Sequence, residues 1–122
     1  MTRSVAATIA HARALARAAG ADGQPSRLAG QYADDMSFMV VQLRRTAPIK
    51  LHVHDAHDEV MVVLDGSAVF RLADRSETAE VGDVLHAPAG VAHAVEPTDA
   101  CVLLAVFGPG MDPDRPDRRF LD

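Results

Sequence analysis

Four side chains that can bind a transition metal stand near the middle of this chain. His52 and His54 open the segment HVHDAHDEVMVVLDG, residues 52–66, which also contains Glu59. Side chains two residues apart on a β-strand project from the same face, so both imidazoles could bind one metal ion. Imidazole and carboxylate are ligands that iron, manganese, nickel, copper and zinc accept. The segment therefore predicts a site for one divalent transition metal.

The sequence around these residues indicates how the chain would bring further ligands to the same place. Residues 55–58 are polar and turn-forming, and Glu59 then opens an apolar run, so Glu59 can face the two histidines from a neighbouring strand. A second segment, GDVLHAPAGVAH at residues 82–93, supplies a turn, a short apolar strand and a Pro-x-Gly turn. It ends at His93, which would be the fourth ligand.

Together the two segments resemble the two conserved motifs of the cupins. The first motif is a glycine, five residues, HxH, three or four residues, Glu, six residues and a glycine; the chain matches it to Gly66 but has Thr46 at the leading position. The second is a glycine, five residues, PxG, two residues, His, three residues and Asn; the chain matches it from Gly82 to His93 but has Pro97 at the last position. Both departures lie outside the ligand set.

The resemblance extends over roughly residues 38–107. It implies an all-β fold, a double-stranded β-helix or jelly-roll cupin barrel, with His52, His54, Glu59 and His93 as metal ligands. A fold by itself implies no reaction. For the cofactor we expect one divalent metal, with Fe(II) favoured and Mn, Ni, Zn or Cu as alternatives.

The pattern outside the motifs predicts an N-terminal α-helix, a barrel and a tail. Apolar residues recur at helical spacing over residues 4–19, and Gly20 would end that helix before a loop at residues 20–30. Residues 1–31 would therefore form the helix and loop, residues 32–110 the cupin barrel, and residues 111–122 a surface tail. Within the tail, Phe120 and Leu121 could dock on the barrel.

Short apolar or alternating runs from Met36 onward predict the strands of an all-β barrel. Turn residues at 65–66, 74–76 and 81–83 are expected to separate antiparallel partners. The predicted strands are residues 38–43, 49–54, 60–64, 68–72, 79–81, 84–87, 91–95 and 102–107.

Bulk properties of the 122 residues exclude several classes of protein. The net charge of −5, with no extended basic cluster, argues against a nucleic-acid binder. The single cysteine, Cys101, excludes an internal disulfide and fits a reducing cytoplasm. No stretch approaches the roughly 20 apolar residues of a membrane-spanning helix. Eleven arginines against one lysine, Lys50, with abundant alanine suggest a bacterial gene of high GC content, so we expect a cytoplasmic protein.

Three further side chains are candidates for proton transfer. His57 lies between the two ligand-bearing strands, His86 precedes Pro88 on a strand, and Tyr32 could border the mouth of the barrel. The alternative for His57 is an ordinary loop residue, and for His86 it is packing between sheets or at an interface.

Residues whose side chains point into the barrel, as that of Glu59 does, should line an aliphatic pocket around the metal. Such a pocket would suit a small, partly apolar substrate that chelates the metal. The pocket residues expected on this basis are Phe38, Val40, Met61 and Val63.

Three functions are compatible with these residues. Similar single-domain cupins imply a mononuclear iron dioxygenase acting on an enolisable or phenolic molecule, which we rank first. An isomerase, lyase or cyclase that uses the metal as a Lewis acid is second, and a non-catalytic binding or sensing module is third. The resemblance also implies a homodimer, with the N-terminal helix and residues 38–43 at the interface.

Overall fold

The chain folds into β-strands joined by turns and loops throughout the part that can be described. In the computed structural model, residues 26–33, 36–112 and 115–121 are described, the first of these ranges by its backbone alone. The N-terminal helix predicted at residues 4–19 lies outside them. The strands are β1 Ser26–Ala33, β2 Met36–Arg44, β3 Ile49–Val53, β4 Asp58–Leu72, β5 Arg75–Glu80, β6 Val84–Ala87, β7 His93–Gly108 and β8 Arg119–Phe120.

Two long antiparallel strands, β4 and β7, organise the barrel. They pair along their whole length, from Asp58 opposite Gly108 to Leu72 opposite His93. The register shifts twice, between Val63 and Asp65 and between Gly66 and Ala68, and such bulges bend a strand pair. Each long strand therefore contributes one half to each of two sheets.

The remaining strands extend these two sheets. On one side of the bend the hydrogen-bonded order is β1, β2, β7, β4 and β6, and on the other it is β8, β3, β7, β4 and β5. Inward-facing side chains from both sheets pack into one core that includes Val41, Met61, Phe70, Val95 and Leu103. This arrangement is the double-stranded β-helix that the sequence predicted.

Gly66 lies at the bend of β4 and has a left-handed backbone conformation, with φ of +75°. A Cβ at this position would overlap the carbonyl oxygen of Ala100 on β7, so only glycine fits. The pair Asp65-Gly66, which we expected to reverse the chain between two strands, instead lies inside β4. The chain continues because both halves of β4 find hydrogen-bond partners on β7.

The two ends of the described chain differ from the sequence-based boundaries. Residues 26–31, expected to be loop, belong to β1 and pair with residues 37–42 of β2. The tail contains β8, which pairs with β3. Backbone pairing imposes strand structure on both segments despite their turn-forming composition. Among the described residues, no helix has both the length and the apolar character needed to cross a membrane.

Candidate metal centre

The four predicted ligands come together at one end of the barrel. His52 lies on β3, His54 follows the end of that strand, Glu59 is the second residue of β4, and His93 begins β7 opposite His52. Their side chains are buried, with residue exposures of 4%, 5%, 5% and 1% in that order. One donor atom from each residue lies within 4.8 Å of every other. These residues form a cluster that could bind a metal ion.

Short contacts join the donor atoms. Nε2 of His52 lies 3.2 Å from Nε2 of His54. Oε1 of Glu59 lies 3.2 Å from Nε2 of His54 and 2.9 Å from Nε2 of His93. The rings of His52 and His93 are 4.2 Å apart between centres. Hence all three imidazoles present Nε2, rather than Nδ1, to the centre of the cluster.

The other ring nitrogen of each histidine is fixed by a backbone carbonyl. Nδ1 of His52 donates to Lys50 O at 2.7 Å, Nδ1 of His54 donates to Asp117 O at 2.6 Å, and Nδ1 of His93 donates to Val91 O at 3.0 Å. A carbonyl oxygen can only accept, so each Nδ1 carries a hydrogen and each neutral ring has its lone pair on Nε2. Three lone pairs and a carboxylate that converge in this way fit a transition-metal ion.

Burial and hydrogen bonding set the charges of the cluster. Burial, reinforced by the nearby His93, lowers the pKa of His52 to about 4, so this ring is neutral at physiological pH. Burial acts to raise the pKa of Glu59, but the contacts of its carboxylate with His54 and His93 outweigh burial and lower that pKa to about 2. Burial also acts to lower the pKa of His54, yet its hydrogen bond with Glu59 raises it. Metal binding would therefore compete with protonation of His54.

A cavity of about 570 Å³ opens onto His52, His54 and Glu59. A volume of this size accommodates a small organic molecule. Its wall is mostly aliphatic and sulfur-containing, and the rim includes two cationic side chains. The wall and rim are formed by Met39, Val41, Pro48, Ile49, Lys50, Leu51, Met61, Leu103, Ala105, Phe107, Met111, Pro116, Arg118, Phe120 and Leu121.

The C-terminal segment, residues 115–121, completes the site through Asp117. Besides the carbonyl that fixes His54, the Asp117 carboxylate accepts hydrogen bonds from the backbone N–H groups of Asp55 at 3.2 Å and Ala56 at 2.7 Å. It also bonds Nδ1 of His57 at 2.7 Å, and this contact holds the pKa of Asp117 below its usual range. Sequence reasoning missed Asp117, because no local motif links it to a loop about sixty residues earlier.

Two of the three candidates for proton transfer, His57 and His86, are not among the described residues that line the cavity. His57 is half-buried and bonds Asp117 and the carbonyl of Gly110, so it joins loops rather than facing the ligands. His86 is exposed on β6, opposite Val60. Tyr32 belongs to β1, and its side chain lies outside the described part of the chain.

The expected pocket residues divide between two faces. Met61 lines the cavity, and Val63 is buried in the main core without reaching it. Phe38 and Val40 pack instead with Val102 in a second cluster on the opposite face of β2, and their neighbours Met39 and Val41 line the cavity. The β2 residues that line the cavity are therefore the direct neighbours of those expected. Residues 38–41 are apolar on both faces of the strand, so alternation alone does not show which face lines the cavity.

Comparisons with known proteins agree with this architecture. The sequence profile described as the cupin domain matches residues 38–107. No curated protein sequence matches the chain. A conserved Klebsiella pneumoniae protein with a double-stranded β-helix domain superimposes with a TM-score of 0.68 at 21% identity, covering 75% of this chain and 83% of that protein.

Two further solved structures share the fold as well. KdgF from a Halomonas species has a TM-score of 0.68 and 23% identity, covering 79% of this chain and 87% of its own. Oxalate decarboxylase from Bacillus subtilis, a protein with Mn(II) centres, has a TM-score of 0.70 and 19% identity, covering 82% of this chain and 29% of its own. The profile match spans more than half of the residues, and the chain belongs to the cupin domain family.

Proposed function

We propose that this protein is a metal-dependent cupin enzyme acting on a small organic molecule. The observation that carries the proposal is the convergence of three imidazole Nε2 atoms and the Glu59 carboxylate at a cavity wide enough for a substrate. Four protein ligands leave up to two positions of an octahedral metal for substrate or oxygen. The ligands are His52, His54, Glu59 and His93.

For the reaction we favour a mononuclear iron dioxygenase. A bound Fe(II) would supply the redox chemistry that lets dioxygen react with an organic molecule. In support, the described residues that line the cavity offer, apart from the ligands, no histidine or carboxylate for moving a proton, because His57 and His86 lie elsewhere. The chain itself would orient the substrate and exclude water with its aliphatic wall.

The second candidate is a non-redox isomerase, lyase or cyclase in which the metal acts as a Lewis acid. The shared fold with oxalate decarboxylase, a protein with Mn(II) centres, supports keeping it, with manganese, nickel or zinc as alternative metals. Lys50 at the rim would then be the lining residue able to carry a proton. A non-catalytic binding protein is the third candidate, and a homodimer is the proposed assembly in each case.

Metal analysis and anaerobic assays test these candidates in sequence. Protein purified without added metal or chelator should contain one transition metal per chain, and Glu59→Gln should remove most of it. After loading with Fe(II), nitric oxide serves as an oxygen surrogate detected by electron paramagnetic resonance. A nitrosyl signal that changes with chelating compounds supports the dioxygenase. Turnover that persists without oxygen would support the Lewis-acid reaction instead. Protein that binds no metal would overturn the proposal of a metal-dependent enzyme.

A further inference from the structure

Two cationic side chains stand at the rim of the metal-site cavity. Lys50 is the only lysine in the sequence, and it lies on β3 two residues before the ligand His52. Arg118 immediately precedes β8, the strand that pairs with β3. Both line the cavity, whereas the acidic side chain among its described lining residues is the ligand Glu59. The cavity therefore has a positive rim although the whole chain has a net charge of −5.

Neither cation is engaged by a carboxylate of the described residues. The neighbouring Arg119 forms an exposed ion pair with Asp55, with 3.1 Å between Nη2 and Oδ1. Arg118 instead lies over the ring of Phe120, with its guanidinium carbon 5.0 Å from the ring centre. Such a contact orients the guanidinium and leaves its N–H donors available for an anion.

The separation between rim and ligands suits one small molecule. The Phe120 ring centre beneath Arg118 is 6.1 Å from the ring centre of His52, and β8 pairs Phe120 with His52. Phe120 thus connects Arg118 with the His52 end of the cavity, and a chelating molecule with a short carbon chain would extend from the metal toward Arg118. Lys50 lies on β3, the strand that pairs with β8, and lines the same cavity.

Charge balance indicates the chemistry of that far end. A divalent metal with one carboxylate and three neutral imidazoles has a formal charge of +1, and the rim adds two positive charges. A positive cavity in an acidic protein concentrates anions and discriminates against neutral molecules. We propose that the substrate has two polar ends, one that chelates the metal and a distal carboxylate that Lys50 and Arg118 bind. This inference rests on the proposed function, because it requires a metal that accepts a chelating molecule.

Calorimetric binding to metal-loaded protein tests the inference with two probes. 2-Oxoglutarate and 2-oxopentanoate share the same chelating end, and the first alone has a distal carboxylate. Wild-type protein should bind 2-oxoglutarate at least about tenfold more tightly, as expected for one charge-assisted contact. The double variant Lys50→Met with Arg118→Met should remove this preference, because it should weaken binding of 2-oxoglutarate far more than binding of 2-oxopentanoate. The double variant Lys50→Arg with Arg118→Lys keeps both charges and should retain most of the preference for 2-oxoglutarate.

Arg71→Met is the matched control, because Arg71 is exposed on β4 and does not line the cavity. This variant should keep the full preference, and the metal content of every variant is measured alongside. Equal binding of the two probes by wild-type protein would overturn the inference, as would a preference that survives in the double methionine variant. If wild-type protein binds metal but neither probe, the proposal of a chelating substrate is refuted. The inference of a distal carboxylate is then refuted as well.

Discussion

Asp117 and His54 are joined by a 2.6 Å hydrogen bond from the imidazole Nδ1 to the backbone carbonyl, which places a tail residue in direct contact with a candidate metal ligand. The same residue holds the loop after His54 through its carboxylate. The orientation of His54 therefore depends on a segment far away in the sequence, as is common for the groups that support metal-binding histidines.

Asp117→Asn should weaken both the loop and the metal site. The amide keeps the shape of the side chain but loses the charge that holds two backbone N–H groups and His57. We expect a loss of about 1 kcal/mol in the free energy of unfolding and about tenfold in metal affinity. Urea denaturation and competition with a metal chelator measure the two effects. Asp99→Asn, at an exposed position, is the control, and an equal loss there would refute the assignment.

Acidification should abolish the stabilisation that Asp117 provides. Its hydrogen bond with His57 lowers the pKa of the folded state below that of the unfolded chain. A carboxyl with a lowered pKa stabilises the fold above the unfolded value, about 3.9, and loses that effect as the pH falls through the folded value. The stability difference between wild type and Asp117→Asn should therefore shrink as the pH falls below about 4. A difference that grows on acidification would contradict this.

Glu59→Gln should remove metal binding more severely than a change of any exposed acid. Glu59 supplies the one carboxylate of the cluster, and its amide substitute offers no negative charge to the metal. We expect metal affinity to fall by at least about a hundredfold. Elemental analysis and a metal-dependent increase in melting temperature measure the loss. Glu96→Gln, an exposed change on β7, is the matched control and should behave as wild type.

Gly66→Ala should be among the most destabilising single methyl additions in the barrel. Its positive φ and the overlap with the Ala100 carbonyl together predict a loss of about 3 kcal/mol or more. Gly82→Ala is the control, because Gly82 has a positive φ of +92° but open space around its Cβ direction. That variant should lose only about 1–2 kcal/mol. Similar losses in equilibrium urea denaturation would show that the close approach of β4 and β7 is unimportant.

Val41→Phe and Val40→Phe should separate the two faces of β2. Val41 lines the cavity and also packs in the main core, so a larger ring there should block 2-oxopentanoate and cost about 1–3 kcal/mol. Val40 packs in the opposite cluster, where the same ring should cost about 1–3 kcal/mol and leave binding intact. Binding lost in Val40→Phe and kept in Val41→Phe would reverse the assignment of faces.

Local patterns predicted which four residues form the cluster, because the relevant signals are short in sequence. His52 and His54 share a strand end, the Pro88 to Gly90 turn delivers His93, and the strand at Val84–Ala87 was predicted with its observed bounds. The motifs thus determine both residue type and approximate position. The prediction that these four residues come together needed no knowledge of how distant strands pair.

Features that depend on long-range pairing were not predictable in the same way. The composition of β1 and β8 indicates loop, and partners on β2 and β3 make them strands. Residues 65–66 indicate a turn, and pairing with β7 makes them a bulge. Phe38 and Val40 belong to an apolar run without alternation. Only the position of β7 and the cluster around Val102 show which face of β2 they occupy.

The bend shared by β4 and β7 has a consequence for the mechanics of the barrel. Glu59 lies on the sheet that contains β6, whereas His52 and His93 lie on the sheet that contains β3. An ion bound by all of them would act as a cross-link between the two sheets. It would add to the connection that the continuous chain of β4 makes between them at Gly66. Part of its binding free energy would then stabilise the two sheets against separating from each other. Amide hydrogen exchange on β3 and on β6 should therefore slow together when the ion binds.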